Sequence, residues 1–98
     1  MPPNPQNPRH IVLRVQGGQI ICPAKTDATK NQKVQWICCS GSWEVQFPVG
    51  AGKSPFSVRT ISGSKGQLKG ATVNGAKKSY KYTVKIGALE KDPDLDIV

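Results

Sequence analysis

The sequence is short of the residues from which most enzyme sites are built. His10 is its only histidine and Met1 its only methionine. A Ser-His-Asp triad needs a base held by partners, and a common zinc site needs further imidazoles or thiolates, so His10 is read as a solvated residue at the start of a strand. Acids are equally scarce, because up to Leu89 only Asp27 and Glu44 stand against 13 bases. A general acid-base pair is hard to assemble from that set, and the chain is read as non-enzymatic. No apolar run approaches the length that crosses a membrane, and no stretch carries the 3.6-residue period of an amphipathic helix. The first nine residues, with Pro2, Pro3, Pro5 and Pro8, lack the apolar centre of a signal peptide and read as a disordered polar lead. The chain is therefore cytoplasmic as it stands, and periplasmic or secreted if a signal was removed ahead of it.

Cys22, Cys38 and Cys39 are an odd set without paired spacing. A disulfide-built scaffold of this size carries an even count. One bridge from Cys22 to Cys38 or Cys39 stays open as an alternative to buried free thiols that fill apolar space. Neighbouring residues on a strand point to opposite faces, so Cys38 is expected inward and Cys39 outward, and the two cannot easily chelate one soft ion. Asp92, Asp94 and Asp96 alternate like the start of a calcium loop but lack its glycine and bidentate glutamate, so they read as a charged strand edge that blunts aggregation. Gly50-x-Gly52-Lys53-Ser54 ends like a phosphate loop, yet the upstream glycine is off the required spacing and Pro55 blocks a following helix; the likeness is taken as chance. No cofactor and no metal are expected.

What the chain has in quantity is turns and short alternating runs. Ten glycines and eight prolines divide 98 residues. Ile11, Leu13 and Val15 alternate before Gly17-Gly18, and a short run from Gln19 to Cys22 ends at Pro23. Lys25 to Gln32 reads as a loop. Val34, Trp36 and Cys38 share one face, and Ser40-Gly41-Ser42 reads as the turn of a hairpin into Trp43, Val45 and Phe47. Pro48 to Pro55 is a loop, Phe56 to Ile61 a short strand or an irregular crossing, and Asn74-Gly75 a turn after Leu68 to Val73. Tyr80, Tyr82, Val84 and Ile86 form the longest alternation, and Leu95 to Val98 closes the chain. Turns every eight to twelve residues predict an all-β Greek-key sandwich of about seven strands over residues 10–98.

Val34-x-Trp36 followed by Trp43-x-Val45-x-Phe47 resembles the middle of the cupredoxin family, where a Val-x-Trp or Val-x-Phe strand leads to His-x-Val-x-Phe. Tyr80-x-Tyr82 resembles that family's Tyr-x-Cys strand. The resemblance covers about residues 10–98, and the chain is similar to copper-free, uncharacterised bacterial proteins with Pro-Phe mid-chain, Tyr-Lys-Tyr near the end and a closing Asp-Pro. It implies a cupredoxin-like sandwich with every copper ligand lost. Blue copper takes two imidazoles, a thiolate and a weak thioether. Trp43 matches the first histidine, Tyr82 the thiolate and Lys85 the second histidine, so the resemblance implies a site packed shut.

Charge supplies the functional expectations. The chain carries +8, divided into a body of +11 (13 bases less two acids) and a last stretch of −3 from Glu90 onward (Glu90, Asp92, Asp94 and Asp96 less Lys91). The leading expectation is a non-enzymatic interaction module that holds a protein partner through the loops Pro48–Pro55 and Gly87–Asp92, as a monomer or a weak edge-strand dimer. The alternative is electrostatic binding of nucleic acid or another polyanion by Lys69, Lys77, Lys78, Lys81 and Lys85. Against that alternative, Tyr80 and Tyr82 are expected to face the core, where they cannot stack on bases.

Overall fold

A computed structural model describes residues 7–98, in which every regular element is a strand. β1 (Arg9–Gln16) buries Ile11 and Leu13 and exposes His10, Val12 and Arg14, as its period-two spelling requires. Gly17 and Gly18, at φ 60° and 74°, close a two-residue turn into β2 (Gln19–Ile21). Positive φ at both positions is the hairpin geometry that glycine adopts without strain. β3 (Lys25–Ala28), β4 (Lys33–Cys38), β5 (Trp43–Gln46), β6 (Thr60–Gly63) and β7 (Lys69–Thr72) follow. The chain ends with β8 (Ser79–Lys81), β9 (Thr83–Ile86), β10 (Leu89–Lys91) and β11 (Asp94–Ile97).

Three ladders result, in the orders β2-β1-β4-β7, β10-β9-β5-β6 and β3-β11-β8. β1 lies parallel to β4 and β3 parallel to β11, while the other pairs are antiparallel. β8 and β9 are one chain run that passes from the third ladder to the second at Tyr82, so those two ladders form one layer against the first. β6 lies beside β7 and β2 beside β10, which brings the layers together along both edges.

Four rings tie the layers at their centre. Trp36 of β4 stands edge-on to Tyr82 at 5.7 Å and to Phe56 at 5.9 Å, and Phe47 packs on Tyr82 at 5.3 Å and on Phe56 at 5.5 Å. Such pairs add about 0.5–1.5 kcal/mol each beyond the area they bury, a large share of the stability of a small core. Gly70 permits the closest backbone approach, because a Cβ there would collide with the Val34 carbonyl of β4.

Several expectations change. Eleven strands replace about seven, because three extended runs are broken where the chain changes partners: at Pro23 between β2 and β3, at Tyr82 between β8 and β9, and at Asp92-Pro93 between β10 and β11. Lys25 to Gln32 is not all loop, since it contains β3, and Gly87 to Asp92 contains β10. Ser40-Gly41-Ser42 does not close a hairpin: β4 pairs with β1 and β7, whereas β5 pairs with β6 and β9, so the turn crosses between layers. Of Phe56 to Ile61, only Thr60 and Ile61 are strand. β11 is the middle strand of its ladder, so Asp94 and Asp96 do not guard an edge. Of the lead expected over residues 1–9, residues 1–6 lie outside the described residues, the Asn7 carbonyl accepts from Gln32 Nε2, and Arg9 opens β1.

Candidate anion-binding cleft

The strand registers define two ends of the molecule. Trp43 and Gly63 face each other at one end, together with the Cys38–Ser42 crossing and the Gly87 turn. The opposite end gathers the starts of β1, β4 and β8 and the long connection from Phe47 to Arg59, whose ends are tied by the Phe47 N–H donating to the Arg59 carbonyl at 2.8 Å. Arg9, Lys30, Lys33, Lys53, Arg59, Lys77 and Lys78 all fall at this second end, on four separate stretches of chain. The acids nearest that end, Asp27 and Asp96, face each other across β3 and β11 beside Lys25, and Lys25 Nζ lies 3.0 Å from Asp96.

Within that end a cleft of about 240 Å³ is lined by Pro48, Gly52, Lys53, Lys78, Ser79, Tyr80 and Lys81. One wall is the Pro48–Ser54 loop, where Lys53 N–H donates to the Gly50 carbonyl at 3.3 Å and Gly50 and Gly52 take positive φ of 129° and 72°. Pro55 and Phe56 bury themselves in the core, and the Asn74 and Gly75 amides donate to the Pro55 carbonyl at 2.8 and 3.0 Å. The loop is therefore pinned from below.

The other wall is β8. Tyr80 is buried, and its hydroxyl donates to the Ala76 carbonyl at 2.8 Å, which fixes the ring. Lys78 Nζ lies 5.1 Å from the centre of that ring, within cation–π range, and 3.4 Å from where a Cβ on Gly52 would be. Lys81 is pinned by Asp94 at 3.2 Å and by the Asp92 carbonyl at 3.2 Å. Among the described residues no carboxylate lies within ion-pair distance of Lys53 or Lys78. Ser79 and Lys25 together hold the Asp96 carboxyl below its ordinary value, and the Asp96 hydrogen bond raises Lys25 in turn.

The five lysines expected to act together are divided. Lys77, Lys78 and Lys81 belong to the cleft end. Lys69 lies across from Trp36 on β7, and Lys85 lies on β9 between Glu44 and Glu90, 3.7 Å from the latter. The acidic final stretch is not a free tail either: it forms β10 and β11, and its carboxylates meet Lys85, Lys81 and Lys25. The loops Pro48–Pro55 and Gly87–Asp92 begin from opposite ends and make no single surface. Lys53 was the residue missed. Its signal in the sequence was the Gly-Lys-Ser ending of Gly50-x-Gly52-Lys53-Ser54, set aside because the upstream glycine is off the phosphate-loop spacing and Pro55 blocks a helix, and nothing local says that Lys78 lines the same cleft.

The three positions matched to copper ligands also separate. β5 and β9 pair Val45 with Val84, and continuing that register sets Trp43 across from Ile86 and Phe47 across from Tyr82. Tyr82 thus lies four residues along the strand from the position facing Trp43. It is buried, accepts from Trp36 Nε1 over a long 3.4 Å, and burial pushes its phenol up to about 12. Trp43 fills its own end, donating to the Gln67 carbonyl at 3.3 Å and lying flush against Gly63. The thiols of Cys22, Cys38 and Cys39 are free; Cys38 is buried filler, Cys39 is exposed, and half-buried Cys22 has its thiol pushed up by burial. His10 is exposed and lies 3.0 Å from Gln35 Oε1. Among the described residues no three His, Cys, Asp or Glu side chains cluster to hold a metal, and no helix is long and apolar enough to cross a membrane. No protein-family model, curated protein or solved structure matches this chain.

Proposed function

We propose that this chain is a non-enzymatic binding module, on a cupredoxin-like scaffold without copper ligands, that grips an acidic segment of a protein partner with its Lys78 end. Two observations support the scaffold reading: the parallel β1–β4 and β3–β11 pairings within an otherwise antiparallel arrangement, and the layer formed by β3, β11, β8/β9, β5 and β6. Trp43, and Ile86 across from it, offer no metal-ligating atom.

The binding reading rests on one observation. Lys53 and Lys78 converge on a cleft without a carboxylate partner, while Lys25, Lys81 and Lys85 are each paired. Bases held together without counter-charge repel one another, and an incoming anion relieves that repulsion. Nucleic acid is the second reading. It is disfavoured because Trp36, Trp43, Phe47, Phe56, Tyr80 and Tyr82 are all buried, which leaves no aromatic platform for bases.

The test is an amide NMR titration of the labelled full chain with a poly-glutamate peptide at low and physiological salt. Shifts should gather at Lys30, Lys33, Lys53, Arg59, Lys77 and Lys78 and weaken as salt rises. Replacing Lys30, Lys33 and Lys77 together by Glu should abolish them. No shifts at low salt, or shifts centred on Lys65 and Lys85 at the other end, would refute the proposal.

A further inference from the structure

Within the Lys78 end, the cleft differs from the surface around it in charge and in rigidity. Three lysines line it, but Asp94 already offsets Lys81, so the charge offered to a ligand is that of Lys53 and Lys78 together, two positive units. Asp96, behind Ser79, is taken by Lys25, and the Asp92 carboxylate accepts from the Thr83 hydroxyl at 2.8 Å. The Lys78 ammonium rests between the Tyr80 ring and the Gly52 backbone. The loop bearing Lys53 is held by the Gly50–Lys53 turn and by buried Pro55 and Phe56.

We propose that this cleft is a specific site for one phosphate dianion, free or esterified to a partner's side chain. The inference rests on the reading of this end as an anion-recognition surface and names what its centre selects. A phosphate monoester carries about −1.5 to −2 near neutral pH and three acceptor oxygens, which matches two unpaired ammonium groups better than a single carboxylate does. Lysine binds as a compact point charge with three donors, which suits a tetrahedral oxyanion approached from two sides. A carboxylate side chain would leave one of the two charges unmatched.

The test compares three probes by amide NMR on the full chain at pH 7.5: inorganic phosphate, an acidic peptide bearing one phosphoserine, and the same peptide with Glu in place of the phosphoserine. Saturable shifts at Gly52, Lys53 and Lys78 to Lys81 are expected with the first two probes, and the phosphopeptide should bind about tenfold tighter than the Glu peptide. Phosphate that binds as well as the phosphopeptide identifies the free ion as sufficient; phosphate that binds far more weakly identifies the esterified group on a peptide as the ligand. Lys53→Ala and Lys78→Ala should each weaken binding about tenfold, whereas Lys85→Ala leaves it unchanged. Lys53 and Lys78 are exposed and Lys85 is half-buried, and each variant's own amide spectrum reports whether it is folded. The proposal is overturned if the phosphopeptide binds no tighter than the Glu peptide, or if the Lys53 and Lys78 variants bind as the parent does. Glu-peptide binding with no gain from phosphate removes this inference alone; silence from every probe removes the broader one too.

Discussion

The two ends of the molecule are built to opposite plans on the same strands. At the Trp43 end an indole fills the interior against Gly63, and on the outer face Glu44 and Glu90 flank Lys85. Arg14, Lys65 and Lys69 also stand toward that end, on separate elements. At the Lys78 end, Phe47, Phe56 and Tyr82 pack together in the core with Trp36, and the cleft beside Tyr80 is lined by Lys53 from a pinned loop and by Lys78 from the approach to β8. One end is closed by volume, and the other gathers unpaired charge around a cleft. The contrast separates stability from binding: substitutions at the first end should unfold the chain without touching recognition, and substitutions at the second can do either.

The largest effects test this directly. Trp43→Ala and Phe56→Ala should each cost about 3–5 kcal/mol in denaturant unfolding, the usual cost of emptying a large buried aromatic site. Only Phe56→Ala should also weaken phosphate binding in the folded fraction, because it frees the loop that carries Lys53. Equal loss of binding in both variants would erase the distinction between the ends. Gly63→Ala is gentler: its Cβ would lie 2.7 Å from the Trp43 ring, and overpacking of that kind costs about 1–3 kcal/mol. Its phosphate titration should match the parent's.

Smaller effects sharpen the picture near the Lys78 end. Tyr82→Phe leaves the Trp36 indole N–H without its acceptor and should cost about 1 kcal/mol at neutral pH. Because burial raises the Tyr82 phenol to about 12 from 10.0, the parent's stability should be full below pH 10 and fall as pH climbs through about 12. Tyr82→Phe removes that part of the alkaline loss, which unfolding midpoints across the range would reveal. Asp96→Asn should be the mildest, below about 1 kcal/mol. Since Ser79 and Lys25 lower the Asp96 carboxyl, its contribution is present above the ordinary carboxylate value and vanishes as pH falls through the lower folded one. The variant should flatten that acid limb, and an unchanged limb would mean the Lys25–Asp96 contact contributes nothing.

Much of the interior could be read before any pairing was known. Val34, Trp36 and Cys38, then Trp43, Val45 and Phe47, then Tyr80, Tyr82, Val84 and Ile86, all turn inward as their alternation requires. Period two is a property of a single strand, so it needs no partner to be legible. The errors fall where a partner was needed. The Ser40-Gly41-Ser42 turn looks the same whether the next strand returns to its own ladder or crosses to the other. The run from Tyr80 to Ile86 shows no break at Tyr82, where it changes ladders. Lys85 falls in the expected basic group because it shares the outer face of one strand with Lys81, and Lys53 falls outside it because its glycine loop lacks the spacing of a phosphate loop; neither rule reports which lysines the closed fold brings together.

By itself, then, the order of residues determined which face of each alternating run is buried, where the chain turns at Gly17-Gly18, and that helix is excluded. The tertiary structure alone decided which charges meet. Asp94 and Asp96 neutralise Lys81 and Lys25 because β11 is threaded between β3 and β8, and Lys53 comes to face Lys78 because the layers close with both connections at one end. Burial follows from local alternation and the solvent, whereas charge pairing depends on contacts between residues dozens of positions apart, which only the closed fold brings together.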